Sequence, residues 1–216
     1  MSLLRIDTTI RGAQSASSAL ADLVEAEWTA AHPDAPVVRR HLGTDPLPAT
    51  AWADAVTAGW TAPEDRTEAQ NAAVALATEL AEELVAAEAV IMAMPLYNFG
   101  VSQHTKVWID LVIAAPRSPD SNGPLLAGKP VVLVTSRGGG YGPGTPREGW
   151  DHNTDYLRRI LADVWGADLT VVEREFTLVG VNPALDQFTE IAAQMKKGAD
   201  DDARRAGTDL AARKAA

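Results

Sequence analysis

The chain has 216 residues, 46% of them apolar, enough to bury one substantial core and most economically read as one domain. A net charge of -10 sets like charge against a polyanion, which argues against nucleic acid, and the absence of cysteine removes disulfides, thiolate metal sites and thiol nucleophiles together. No apolar stretch has the length to cross a bilayer and "MSLLRIDTTI" lacks the pattern of an export signal, so a cytoplasmic protein without membrane insertion is expected.

Taken in chain order, "LLRI" reads as a first strand, and "SALADLVEAEWTAAH" places Leu20, Leu23, Val24 and Trp28 on one helical face. "VVRRHL" reads as a second strand whose polar residues suit an edge position. The proline-bearing stretch at 47–66 reads as irregular, and Thr67 to Ala87 as a long helix with Val74, Leu80 and Leu84 in its apolar stripe. "AVIMAMP" and "PVVLVTS" are continuous apolar runs, the pattern of strands buried on both faces, and "DLTVVEREF" suits a further strand nearer an edge. Helical periodicity fills "TKVWIDLVIAA" and "DYLRRILADVW" between them. Five strands alternating with helices predict an α/β fold, a doubly wound parallel sheet with helices on both faces and right-handed crossovers. Residues 1–200 are expected to form this single domain, with 201–216 as a charged tail that frays or packs poorly.

In such sheets ligands bind beyond the carboxyl ends of the strands, and three loops there carry unusual residues. "DTTIRGAQSASSAL" places Thr8, Thr9, Ser15, Ser17 and Ser18 near a helix start, which suits either a phosphate monoester held by hydroxyls and free amides or an ordinary serine cap. It is not a Walker loop, since no GxxxxGK[ST] occurs, and a single Gly12 does not make a dinucleotide fingerprint. In "MAMPLYNFG", Pro95 ends a strand and Tyr97, Asn98 and Phe99 follow; they suit a flat heteroaromatic ligand, or a turn whose rings pack back onto the core. In "SRGGGYGPGTPREGWD", glycines after Ser136 and Arg137 allow close backbone approach to a ligand, or simply flexibility.

These residues resemble the FMN-dependent NADH-azoreductases, also described as FMN-dependent NADH:quinone oxidoreductases, a flavodoxin-like family. The resemblance runs from "LLRIDTTIRGAQSASS" through "PLYNFGVSQHTKVWID" and "GKPVVLVTSRGG" to "DYLRRILADVWGADLTVV". It implies that Thr9, Ser15, Ala16 and Ser17 hold the FMN phosphate, with Thr9 standing where the family has Ser. Leu96, Tyr97, Asn98 and Phe99 would hold the isoalloxazine ring together with Ser136, Arg137, Gly138 and Gly139. It further implies a two-electron ping-pong cycle in which NADH or NADPH delivers hydride to flavin N5 and a quinone or azo compound then takes the electrons. The cofactor carries that chemistry, so no protein residue is assigned as a catalytic acid or base. A homodimer with its sites at the subunit boundary is implied as well. The segment after the glycines is rearranged relative to the family, and the region from 115 to 129 is shortened where relatives often carry a pocket-lining aromatic.

The alternative is a flavodoxin-like electron carrier that binds FMN without oxidising NAD(P)H directly, its acidic surface docking to basic partners. His32, His41, His104 and His152 are scattered without metal-ligand spacing, so no metal site is expected, and GxSxG is absent. Asp151 or Asn153 is expected to cap a helix beside His152, and the tryptophans other than Trp60 and Trp150 are expected in the core.

Overall fold

The computed structural model describes residues 1–117 and 123–213. Its centre is a five-stranded, all-parallel sheet in the order β2-β1-β3-β4-β5, formed by β1 (Leu3–Asp7), β2 (Val37–His41), β3 (Ala89–Ala93), β4 (Pro130–Ser136) and β5 (Asp168–Arg174). Every residue of β1, β3 and β4 is buried, whereas β2 and β5 are partly exposed edges. The continuous apolar runs and the two polar-interrupted runs therefore occupy the positions their patterns require.

Alternation along the strands divides the core in two. Leu4 and Ile6 face a cluster with Trp108, Leu133 and Leu161, while Leu3 faces Leu20, Val24 and Trp28 on the other side. The first cluster is covered by α2 (Ala51–Ala58), α3 (Glu68–Ala86), α4 (Gln103–Ala114) and α5 (Thr154–Arg158). α5 runs on into a π-helical turn over Arg159–Val164, in which the Trp165 amide bonds to the Ile160 carbonyl, and the Trp165 ring meets Trp108 edge-on at 5.7 Å. The second cluster is covered by α1 (Ala16–Ala31) and α6 (Thr189–Ala212).

Two expectations are corrected. The stretch at 47–66 is not irregular throughout, because α2 buries Ala51, Ala55 and Ala58. The charged segment beyond residue 200 does not fray: α6 passes through it unbroken to Ala212 and buries Ala199, Ala203, Ala206 and Leu210, while 214–216 lie outside the described residues. Its small residues let α6 approach α1 closely, so that a Cβ at Gly207 would lie 2.5 Å from the Val24 carbonyl oxygen. Trp28, Trp108 and Trp165 are buried, but Trp52, Trp60 and Trp150 are exposed.

The strand order reverses between β1 and β3, because the chain steps outward to β2 on one side and returns to β3 on the other. A buried hydroxyl chain marks that point: Thr105 of α4 donates to Thr8 at 2.9 Å, and Ser102, the cap of α4, lies 3.0 Å from Thr105. α1 and α4 therefore both begin at the crevice, each with a serine accepting an amide of its own first turn.

Paired glycine substitutions test the α1–α6 contact. A Cβ at Gly198 meets nothing within 4 Å, so Gly198→Ala is expected to stabilise by up to about 1 kcal/mol through helix propensity. Gly207→Val should destabilise by about 3 kcal/mol through overpacking. Urea midpoints read both, and an unchanged midpoint for Gly207→Val would show that α6 is not seated on α1.

Candidate active site

The first loop leaves β1 through Thr8 and Thr9, both buried, and makes one tight turn at Gly12–Gln14 before Ser15 caps α1. The Thr9 hydroxyl accepts the Arg11 amide at 3.1 Å and lies 3.1 Å from the Tyr97 hydroxyl. Ser15 accepts the Ser18 amide, and its hydroxyl also lies 3.1 Å from that of fully buried Ser17. The amides of Ala16 and Ser17 have no acceptor among the described residues, as expected of the open end of a helix. Below this loop the chain is tightly packed, since a Cβ at Gly43 would fall 1.8 Å from the Thr9 carbonyl oxygen.

The second loop is a two-residue turn in which Tyr97 and Gly100 exchange backbone hydrogen bonds at 3.0 and 2.9 Å. Asn98 and Phe99 have φ of 47° and 70°, the left-handed pair that such a turn requires. Asn tolerates that region, but Phe in it stores strain of order 1 kcal/mol. Phe99 is held by an edge-on contact with Trp150 at 5.6 Å and by the His152 amide, which donates to its carbonyl at 2.9 Å. The Asn98 side-chain amide makes no hydrogen bond among the described residues.

The third loop is anchored by Arg137, whose guanidinium is buried among acids. It donates to Asp151 at 2.6 Å, Glu173 at 3.1 Å, Glu175 at 3.4 Å and the Thr154 hydroxyl at 2.9 Å. Burial alone would lower its pKa, and Glu173 and Asp151 outweigh that and raise it. Burial also works against the Asp151 carboxylate, but amide and hydroxyl hydrogen bonds from Thr154 and the charge of Arg137 hold it below the usual aspartate range. The carbonyls of Arg137, Gly138 and Gly139 accept amides of Thr177, Leu178 and Phe176, whereas the amides of Gly138, Gly139 and Gly140 find no acceptor among the described residues. Asp151, not Asn153, supplies the side-chain acceptor at the start of α5, taking the amides of Asn153 and Thr154.

A cavity of about 260 Å³ joins these loops. From the first it is lined by Thr9, Ser15 and Ala16, from the second by Leu96, Tyr97 and Asn98, and from the third by Ser136 and Gly138. Four other expected residues lie outside its wall: Ser17 beneath Ser15, Phe99 against Trp150, Gly139 behind Gly138, and Arg137, whose donors are consumed by the acids. Its remaining wall was not anticipated: Arg11 and Gln14, Tyr141 and Arg147, and Thr177 and Leu178 after β5. The position of 177–178 at the carboxyl end of the fifth strand was the one signal available for them. Among the described residues, no group of three or more His, Asp or Glu could hold a metal ion, and no helix is long and apolar enough to cross a membrane.

The donor set fits FMN. One end offers the open Ala16 amide beside hydroxyls and Arg11, with the unpaired Ser17 amide beneath it, a setting for a phosphate; the other offers the Gly138 amide and Asn98, a setting for the polar edge of a flat ring.

The 2-1-3-4-5 sheet with its site at the β1/β3 reversal defines a flavodoxin-like protein. A family model described as flavodoxin-like fold matches residues 1–199. Proteins named FMN-dependent NADH:quinone oxidoreductase are similar over nearly the whole chain: one from Frankia casuarinae is 38% identical over 90% of this chain and 92% of its own, and one from Streptomyces avermitilis 37% identical over 99% of each. An FMN-dependent NAD(P)H:quinone oxidoreductase 1 of Pseudomonas aeruginosa is 37% identical over 80% of this chain and 86% of its own. The chain belongs to this flavodoxin-like family of FMN-dependent NADH:quinone oxidoreductases. Among solved structures, the azoreductase AzrA shares the fold with a TM-score of 0.78 at 23% identity, over 97% of this chain and 100% of its own. An FMN-dependent NADH-azoreductase from Bacillus anthracis str. Ames Ancestor, solved in complex with FMN, does so with a TM-score of 0.71 at 16% identity, over 96% and 100%.

The acidic cage around Arg137 generates a prediction. Arg137→Met would leave buried carboxylates unpaired, and is expected to destabilise by about 3 kcal/mol. Because the folded pKa of Asp151 is depressed, its contribution is complete above the unfolded value of about 3.9 and is lost as pH falls through the folded value. Acid unfolding should accordingly be shallower in Asp151→Asn than in wild type, and equal slopes would remove Asp151 from the acid-sensitive set.

Proposed function

We propose that the chain is an FMN-dependent oxidoreductase that uses NADH or NADPH to reduce quinones or azo compounds. The observation that carries this reading is one cavity with unpaired donors at both ends, spaced across the β1, β3 and β4 loops. In it, Thr9, Ser15 and the Ala16 and Ser17 amides hold the phosphate, and Arg11 adds charge. The Asn98 amide and the backbone of Gly138 meet the polar edge of the ring, with Leu96 and Tyr97 framing it, and Gly139 supports that turn from behind. FMN, when bound, supplies the two-electron redox chemistry.

The chain's own contribution is orientation and electrostatics. Backbone donors beside the ring favour the negative charge of its reduced state and require no titrating side chain. Tyr97 links the two ends, since its hydroxyl reaches Thr9 and the Ile10 amide. The working form in this reading is a cytoplasmic homodimer. The exposed rings of Phe99 and Trp150 at the mouth of the site give such an assembly apolar surface to cover.

A second reading, an electron carrier, draws on the net charge of -10, which suits docking to basic proteins. Visible absorption separates the two. Protein supplied with FMN should show a bound-flavin spectrum that bleaches on anaerobic addition of NADH or NADPH; flavin that neither donor bleaches would favour the carrier, and no flavin binding would remove both. Asn98→Ala is expected to weaken FMN affinity or slow bleaching by about three- to tenfold, the worth of one lost hydrogen bond. Unchanged affinity together with an unchanged rate would displace Asn98 from the ring.

A further inference from the structure

Cations in this acidic chain are almost all engaged. Among the described residues, carboxylates hold Arg5, Arg39, Arg40, Lys106, Arg137, Arg158, Arg159, Lys196, Lys197, Arg205 and Arg213, while backbone carbonyls take Arg66, Arg117, Lys129 and Arg204. Among the described residues, three guanidiniums have neither kind of partner: Arg11, Arg147 and Arg174. Arg11 and Arg147 both line the candidate active site.

Arg147 also lines a second cavity, of about 320 Å³, whose wall includes Pro146, Phe176, Leu185 and Phe188. Phe176 and Phe188 pack with ring centroids 5.1 Å apart, so the far side of Arg147 is apolar. The guanidinium lies 5.7 Å above the Tyr141 ring, which steers it without neutralising it. Nearby carboxylates are otherwise committed: Glu148 accepts the Gly144 amide, and Glu175 accepts the Tyr141 amide and Arg137. A free guanidinium thus stands where a polar cavity meets an apolar one.

We propose that Arg147 is a specificity-determining residue that binds an anionic substituent, a sulfonate or carboxylate, on an aromatic electron acceptor. The acceptor's apolar arm or second ring then enters the Phe176–Phe188 cavity. The planar fork of arginine suits both anions, and in a protein of net charge -10 a local cation is what admits an anionic substrate. The proposal rests on the oxidoreductase reading and adds to it a class of acceptor.

The test compares wild type, Arg147→Gln and Arg147→Lys, each loaded with FMN and supplied with saturating NADH, on naphthoquinone sulfonate and its uncharged parent. The ratio of kcat/KM for the sulfonate to that for the parent should fall about tenfold in Arg147→Gln, through KM, because a charge-assisted contact is lost. Arg147→Lys should restore part of the ratio. Titration with naphthalenesulfonate, which cannot be reduced as a quinone, gives a readout independent of turnover: binding should weaken about tenfold in Arg147→Gln and lose salt sensitivity. An unchanged acceptor ratio with unchanged naphthalenesulfonate binding would overturn the proposal, and so would an effect confined to the KM for NADH. If no form reduces any acceptor, the oxidoreductase reading fails instead, and the naphthalenesulfonate titration still decides the role of Arg147.

Discussion

A buried guanidinium has to be surrounded by acceptors, and at the carboxyl edge of this sheet Arg137, itself at the end of β4, imposes that requirement on two other pieces of chain. Glu173 and Glu175 come from the end of β5, and Asp151 and Thr154 from the start of α5. The intervening segment is thereby obliged to leave β4, pass over the site and return. His152, next to Asp151, then fastens the 97–100 turn through the Phe99 carbonyl. Arg5 does the equivalent work beneath the first loop. It pairs with Asp7, Asp22 and Glu25, and Asp7 in turn accepts the Ser18 hydroxyl at 2.6 Å, which fixes α1 against β1. Burial opposes the Arg5 charge as well, and Asp7 and Asp22 prevail. Two arginine cages thus hold the loops while their backbone donors stay open.

Much of this architecture was legible in the sequence, for a simple reason. Strands buried on both faces must be apolar throughout, and edge strands can interleave Arg39 and Arg40 or Glu173 and Arg174; both patterns are unambiguous over a few residues. Helices that bury leucine and tryptophan were equally plain. The two that were missed or misjudged, α2 and α6, bury faces made largely of alanine. Alanine contributes little area to an apolar stripe, and its value here is geometric: it permits close approach, which no single-sequence hydropathy pattern records.

The candidate site divides along the same line. Hydroxyls and glycines at strand ends are local signals, and most of those residues line the cavity. The fate of Arg137 could not be read locally, since its acids arrive from as far as Glu175, and a cation beside a glycine loop looks like a ligand donor until its partners are known. Arg147 presents the converse case. It lies between the glycines and α5, and its environment depends on Tyr141 and on the chain after β5.

The seating of α6 on α1 has a consequence for synthesis. Leu20, Val24 and Trp28 are made early and share their cluster with Leu3, Ile91 and Val134 of the sheet, yet its other members, Ala199 to Leu210, come last. A nascent chain therefore leaves the outer side of this cluster open until its last residues are made, even though β1 and β3 have been available to pair for more than a hundred residues. Closure of that layer waits on the carboxyl-terminal helix, so the last residues translated complete a cluster that the first helix begins.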